Sequence, residues 1–248
     1  MNENQDFSDS LELYTSWMDC LRAPSPDGWT HSQESMALVQ LGAWLLSQVP
    51  SEQDETAWKI ISLTDTRSGD FPRNEVIISW AFAKRKFLSS QYRLLIKGKF
   101  HQPDDEIAAQ KLTEQMDSIL TDERLPLDFR ANTLDEFARM FYSSADFGMA
   151  TQLIEKYPSL NGLPVIMNLL FCIRLYGHGD MEGARKIFSE WETKVNKGKL
   201  SKDDNWYRIT SRAYLDNLGK SEFEIKQQSR RFIESARKKH PHLLKETP

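Results

Sequence analysis

Histidine and cysteine are the residues of this 248-residue chain best suited to metal binding or proton transfer, and the chain has five and two of them. Three histidine-centred groupings are candidate sites: His31 with Glu34, His178 with Asp180, and His240 with His242. None has the ligand spacing of a zinc protein, and His178 stands between two glycines, which is typical of a turn. The sequence has no P-loop, dinucleotide-binding glycine pattern or serine nucleophile elbow. We therefore predict that the chain is not an enzyme, has no catalytic residue, and binds neither a metal nor a cofactor.

The two cysteines, Cys20 and Cys172, have no C-x-x-C partner and are far apart in sequence. Two reduced thiols are typical of a cytosolic protein, and Cys172 lies in an apolar stretch where we expect it to pack rather than react. The N-terminus is acidic and has no Lys or Arg before Arg22, unlike a signal peptide. The most apolar stretch, residues 163–173, contains Asn168 and is too short to span a bilayer. We predict a cytoplasmic protein that does not enter a membrane.

A basic run lies between Glu75 and Asp104, where six Lys and Arg residues are interleaved with aromatic residues and no acidic residue occurs. A second basic zone lies at 230–239. Such segments can contact phosphates and stacked bases. The neighbouring span 102–128 holds eight Asp and Glu residues, and we favour neutralisation between the two spans across a helical hairpin. Nucleic-acid binding is kept as the alternative function, with these candidate residues: Lys84, Arg85, Lys86, Arg93, Arg230 and Arg231.

Nearly every segment has apolar residues at helical spacing, and no stretch alternates as a strand, so the sequence predicts an all-α fold. Expected helices lie near 9–22, 32–48, 73–98, 104–120 and 203–216, and Pro126 is expected to begin another. Asp180 is positioned to cap the helix after the Gly177-His-Gly179 turn, and Ser221 with Glu224 forms a capping box for the last helix.

Charge is distributed unevenly along the chain. Net charge is −4 overall, but the segment 1–70 holds twelve Asp and Glu against three Lys and Arg, a balance of −9. Hydrophobic content of 40% is too high for general disorder. A polar, turn-rich loop at residues 65–72 is the expected boundary. We predict an acidic N-terminal helical segment at 1–68 that packs on a repeat region at 69–248.

Between Leu134 and Trp191 the sequence nearly repeats itself at a spacing of about 34 residues. Seven pairs of similar residues show the spacing: Phe137 and Phe171, Ala138 and Cys172, Phe141 and Leu175, Asp146 and Asp180, Ala150 and Ala184, Leu153 and Ile187, Ile154 and Phe188. This is the period of the tetratricopeptide (TPR) helix–turn–helix unit, and segment 131–195 resembles two such repeats. A third unit, with a longer spacing between Gly179 and Gly219, is expected to follow. The resemblance implies a short, irregular α-α superhelix of TPR-like helix pairs with an N-terminal helical segment.

The resemblance also implies a binding surface rather than a reaction, lined mainly by the first helix of each unit. The positions that correspond to the groove of the family are these: Asn132, Asp135, Arg139, Tyr142, Ile173 and Tyr176. A simpler interpretation stays open, in which Asp135 and Arg139 are an exposed helical pair and Ile173 is buried by a neighbouring helix. The implied partner is another protein, and the acidic N-terminal segment favours a basic one. The scaffold would be an adaptor, a chaperone-like factor or a bacterial antitoxin or immunity protein; the oligomeric state is left open.

Overall fold

The computed structural model describes residues 12, 61–62, 65, 68–69, 74–96 and 105–239. None of these residues lies in a strand, and the prediction of an all-α fold is confirmed. The helices expected within 9–48 lie outside the described residues, apart from residue 12. The described helices, in chain order, are α1 (Asn74–Ile96), α2 (Asp105–Leu120), α3 (Leu127–Ser143), α4 (Phe147–Glu155), α5 (Pro164–Cys172), α6 (Met181–Asn196), α7 (Asn205–Leu218) and α8 (Glu222–Lys239). A π-helical turn, Ile173–Gly177, continues α5.

The chain divides into two compact units, one of Met1–Leu95 with Lys99–Leu125 and the other of Ile96–Gly98 with Pro126–Pro248. The predicted boundary between positions 68 and 69 stays a prediction, because most of the segment 1–68 lies outside the described part. None of the described helices is long and apolar enough to cross a membrane.

In the first unit, α1 and α2 lie side by side and antiparallel. Lys84 Nζ of α1 is 2.7 Å from Ser118 Oγ of α2, and further along the pair Tyr92 Oη is 3.0 Å from Thr113 Oγ1. Trp80 and Leu88 of α1 are buried at helical spacing, and they lie on the same stripe as Lys84. One cation therefore sits in the middle of a largely apolar helix face.

In the second unit, α3, α5 and α7 form a row in which α5 contacts both of the others. Helix α4 packs on α3, and α6 packs on α5 and α7. Among the small residues at corresponding repeat positions, Ala138, Ala150 and Ala184 are completely buried, and Cys172, the counterpart of Ala138, is half-buried. Helix α8 packs against the π-helical turn. The superhelix itself stays a prediction.

The turns after α3 and after the π-helical turn have similar backbones at corresponding positions of the two repeats. Ala145 and Gly179 both have positive φ, 66° and 63°, and Asp146 and Asp180 then cap the next helix through side-chain bonds to the N–H groups of the third residue on. The third turn differs, because Gly219 has a φ of −92°. The capping box predicted for α8 is confirmed: Ser221 N donates to Glu224 Oε2 at 2.8 Å, and Glu224 N donates to Ser221 Oγ at 3.3 Å.

The π-helical turn was not expected from the sequence. After α3 the closing bond runs from Asp146 N to Phe141 O, whereas the bond from Asp180 N reaches back to Arg174 O and so encloses one residue more. The ring of Phe147 occupies the space beside Gly177, where an added Cβ would lie 2.9 Å from a ring carbon. The wider turn thus accompanies a close approach that only glycine permits.

Candidate functional site

The most organised polar cluster of the second unit is centred on Arg139 of α3. Its Nε donates to Asp135 Oδ2 at 2.8 Å, one helical turn earlier, and its Nη2 donates to Asn168 Oδ1 of α5 at 2.8 Å. The guanidinium carbon lies 5.2 Å from the centre of the Trp206 ring of α7, within cation–π range. Three helices therefore hold one side chain, and we call these residues together with Thr210 the Arg139 cluster.

The cluster continues inward through Asn168. Its Nδ2 donates to Thr210 Oγ1 at 2.7 Å, and both residues are buried, at 2% and 0% exposure. A buried amide is destabilising unless both its oxygen and its nitrogen find partners, and here each has one. The Asn168 side chain of α5 thus links Arg139 of α3 to Thr210 of α7 and holds the Arg139 side chain in place.

Local sequence places Trp206 against Arg139. Asp204 caps α7, and its Oδ1 accepts from Trp206 N at 2.8 Å and from Tyr207 N at 3.2 Å. About two turns further along α7, Tyr214 stacks on Phe188 of α6 with ring centres 4.4 Å apart. These contacts fix where α7 begins and how it is rotated about its axis, and so direct the Trp206 ring towards α3.

The Asp135 carboxylate is incompletely satisfied. Asp135 is 7% exposed, and its Oδ1 is buried without a hydrogen-bond partner. Burial raises the pKa of this carboxyl above its usual value, while the hydrogen bond and charge of Arg139 oppose the rise. The cluster therefore contains a buried carboxylate with one oxygen paired to Arg139 and the other without a hydrogen bond.

The neighbouring ionisable groups are kept neutral by burial. Burial raises the pKa of the Cys172 thiol to about 11, so that the thiol is protonated at neutral pH. Burial also raises the pKa of the Tyr142 and Tyr176 phenols. Thiol and phenols alike are poor nucleophiles in this state. The arrangement is suited to holding a cation in place rather than to activating a nucleophile.

Solvent reaches Arg139, whose side chain is 31% exposed. Two of its nitrogens are engaged by Asp135 and Asn168, and the planar group is fixed against Trp206. A guanidinium held in this way keeps donors for an incoming carboxylate or carbonyl oxygen. The chemistry available at the site is recognition by charge-assisted hydrogen bonds.

The structure brings some of the predicted groove residues together and separates others. Asp135 and Arg139 form the expected helical pair, with Asp135 buried rather than exposed. Tyr142 is half-buried, its ring 5.0 Å from the Phe232 ring of α8. Asn132 is exposed and donates to the Asp128 carbonyl one turn earlier on its own helix.

The two remaining groove residues belong to the π-helical turn. Tyr176 is half-buried against the core cluster that contains Phe171 and Leu175. Ile173 is 2% exposed and lines a cleft of about 490 Å³ between α4 and α6. The burial of Ile173 agrees with the simpler interpretation of the sequence, in which Ile173 is a buried residue rather than part of an exposed groove.

That cleft is a second concavity of the unit. Its floor includes Leu170 and Ile187, and its rim carries Glu155 and Lys186 on opposite walls. Arg174, Asp180 and Glu182 also line the cleft, so its lining carries charges of both signs. The Arg139 cluster, with its fixed cation, is the more specific of the two surfaces.

The residues of the alternative, basic surface lie in different environments. Lys84 is 1% exposed: its Nζ lies 2.6 and 2.7 Å from the two carboxylate oxygens of Asp65 and also donates to Ser118 Oγ. Burial lowers the pKa of Lys84, and the charge of Asp65 opposes the shift. Arg85 and Lys86 lie 5.1 and 5.3 Å from the Phe82 ring. The exposed members are Lys86, Arg93, Arg230 and Arg231.

Sequence reasoning did not identify Asn168, Trp206 or Thr210 as site residues. Asn168 gave one signal, as the single amide within the apolar stretch 163–173. No sequence signal marked Trp206 or Thr210. Both lie on α7 and contact α5 or α3, and the spacing of the chain before α7 departs from the 34-residue repeat.

Within the described residues, no group of three or more His, Cys, Asp or Glu side chains is placed to hold a metal ion. Comparison with protein-family models, curated protein sequences and solved structures finds no significant match to this chain.

Proposed function

We propose that this chain is a non-enzymatic, TPR-like helical-repeat protein that binds another protein through the face of α3, α5 and α7 that presents Arg139. The observation that carries the proposal is the restraint on Arg139, which Asp135, Asn168 and Trp206 hold while about a third of it stays exposed. Ordering a long side chain on binding opposes association by about 0.5–1.5 kcal/mol. Here that ordering is already complete in the free protein.

Arginine is enriched among the residues that dominate protein interfaces, and a partner carboxylate or carbonyl is the group that a fixed guanidinium best accepts. The acidic balance of −9 over the segment 1–70 adds long-range attraction to a basic partner. An association rate that falls steeply with added salt would support this steering. A salt-independent rate would contradict it. An adaptor, a chaperone-like factor and an antitoxin or immunity protein all agree with such a surface.

The test is affinity capture from the native host, followed by mass spectrometry, with three versions of the full chain. We expect the wild-type protein and an Arg185→Gln control to capture the same partner, since Arg185 is exposed on α6, where it pairs with Glu182 of its own helix. Arg139→Gln should lose that partner while keeping its thermal midpoint within a few degrees. Equal capture by all three versions would contradict the proposal.

One observation favours nucleic-acid binding as the second candidate. Five basic residues of α8 are exposed and form no ion pair in the described part of the chain: Arg230, Arg231, Arg237, Lys238 and Lys239. The helix dipole accounts for the last three, because cations are favoured in the final turn. Arg230 and Arg231 lie earlier in α8, outside the final turn, so the helix dipole does not explain them.

A gel shift at low salt tests the second candidate. Binding that is lost on Arg230→Ala with Arg231→Ala, but kept on Lys226→Ala, would support it, because Lys226 is already paired with Glu222. If neither single- nor double-stranded probes shift at micromolar protein, nucleic-acid binding is ruled out as a candidate function.

A further inference from the structure

The cleft between α4 and α6 lies on a different side of α5 from the Arg139 cluster. Its volume of about 490 Å³ falls within the usual range of pockets that hold small molecules. The cleft is lined by Leu170 and Ile173 of the α5 segment, whereas the Arg139 cluster is reached through Asn168, which points from another side of that helix. The two surfaces are therefore separate, and occupancy of the cleft does not depend on a protein bound at Arg139.

The floor of the cleft is apolar. Ile154 and Ile173 are buried in it, at 0% and 2% exposure, and Leu170 and Ile187 are half-buried. Ile173 belongs to the π-helical turn, and such turns are frequent at functional sites. A floor of this kind accepts the hydrocarbon side chains of a ligand.

Five charged side chains line the cleft, and three of them already have a partner within the chain. Asp180 caps α6, and its other carboxylate oxygen lies 3.7 Å from Arg174 Nη1. Glu182 is paired with Arg185 of its own helix, at 3.3 Å. These three side chains leave little net charge for a ligand to neutralise.

The other two charged side chains, Glu155 and Lys186, are exposed and have no ion-pair partner among the described residues. Glu155 is the last residue of α4, and Lys186 stands on α6, on the opposite wall. At the 34-residue spacing, Glu155 corresponds to Ser189 and Lys186 to Gln152, so the repeat requires a charge at neither position. The cleft thus has one unpaired anion and one unpaired cation on the two walls above an apolar floor.

We infer that the cleft binds a short peptide with apolar side chains, through both of its charged ends. The N-terminal ammonium pairs with Glu155, the C-terminal carboxylate pairs with Lys186, and the apolar side chains lie on the floor. A ligand with a single charge would leave one wall uncompensated. In a single amino acid the two charges are attached to the same carbon, too close together to reach opposite walls. A dipeptide separates them by one peptide unit and still fits a cleft of this size.

Isothermal titration of the full chain with leucyl-leucine tests the inference, with the N-acetylated and C-amidated forms of the same dipeptide as comparisons. The free dipeptide should bind with a dissociation constant on the order of 0.2 mM, the value expected for a ligand of its size. Each blocked form should bind about fivefold more weakly, because one partly exposed ion pair is lost. No binding of the free dipeptide at millimolar concentration, or equal binding of all three forms, would overturn the inference.

Two variants assign the ends of the dipeptide. Lys186→Gln should weaken the free dipeptide about fivefold and leave the amidated form unchanged, because that form has no carboxylate to pair. Glu155→Gln should do the same, with the acetylated form unchanged. Glu192→Gln, exposed on α6 outside the cleft, is the matched control and should alter no affinity. Lys186→Gln that weakens the free and amidated forms alike would overturn the pairing of the carboxylate with Lys186.

Discussion

Each unit of this chain holds a cation among side chains of different helical segments, and the two cations differ in burial and in how completely their polar atoms and partners are hydrogen-bonded. In the first unit, Lys84 is 1% exposed and its ammonium has three oxygen acceptors, two from Asp65 and one from Ser118. In the second unit, Arg139 is 31% exposed and its carboxylate partner keeps one oxygen without a hydrogen bond.

The comparison separates a structural ion pair from a binding group. A buried ammonium with all its donors engaged has nothing to offer a ligand, and removing it leaves its partner uncompensated. A guanidinium that is fixed but partly exposed can accept a further partner without being reordered. We therefore expect the first site to govern stability and the second to govern binding.

The largest expected effect comes from Lys84→Met, which leaves Asp65 without its cation. Breaking a buried pair typically lowers the free energy of unfolding by about 3 kcal/mol, and the 27% exposure of Asp65 keeps the loss near the lower end of the range. Urea denaturation measures the loss. Lys86→Met, an exposed substitution at a nearby position, should change the value by less than about 0.5 kcal/mol. Equal values for the two variants would show that the buried pair does not stabilise the first unit.

A smaller loss is expected from Asn168→Leu. The substitution keeps the side-chain volume but removes the bonds to Arg139 and Thr210, and Thr210 Oγ1 is left in an apolar site. We expect the free energy of unfolding to fall by about 2 kcal/mol, again by urea denaturation. Asn132→Leu on exposed α3 surface is the matched control and should be nearly neutral. A neutral Asn168→Leu would mean that the buried link between α3 and α7 does not order the site.

The smallest effect is a pH dependence specific to Asp135. Because burial raises the folded-state pKa of this carboxyl above 3.8, the folded state binds more protons than the unfolded state just above that pH. The contribution of Asp135 to stability is therefore fully present below the unfolded pKa and is lost as the pH rises through the folded pKa. Thermal midpoints of the wild type and Asp135→Asn, compared over acidic pH, should differ most in favour of the wild type at the lowest pH. A difference that grows with pH would reverse the sign and show that Arg139 outweighs burial.

Most of the helical elements could be predicted because their signals are local. The apolar spacing of residues 73–98 and 104–120 indicates α1 and α2, Pro126 directly precedes α3, and Ser221 with Glu224 marks the start of α8. The repeat spacing also predicts where the positive-φ turn residue lies in two units. Each of these depends on a few neighbouring residues.

The site could be predicted only in part, because its decisive contacts are long-range. Asp135 and Arg139 were identified by the family resemblance, and their spacing alone indicates a helical pair. The link from Asn168 to Thr210 depends on how α7 docks, and the repeat spacing fails before α7. The burial of Lys84 depends on its ion pair with Asp65, which lies 19 residues earlier in the chain. Nothing in the sequence indicates that these two residues meet.

The most direct test of the account is the affinity of the captured partner for the wild-type chain and three variants. Isothermal titration should show that Arg139→Gln raises the dissociation constant about thirtyfold, the loss expected for a charged hydrogen bond. Arg139→Lys should recover only part of the affinity, because an ammonium keeps the charge without the planar fork. Lys84→Met, measured at a temperature where it is folded, should bind like the wild type. Equal dissociation constants for wild type and Arg139→Gln would contradict the central claim that the fixed, exposed guanidinium is the binding group.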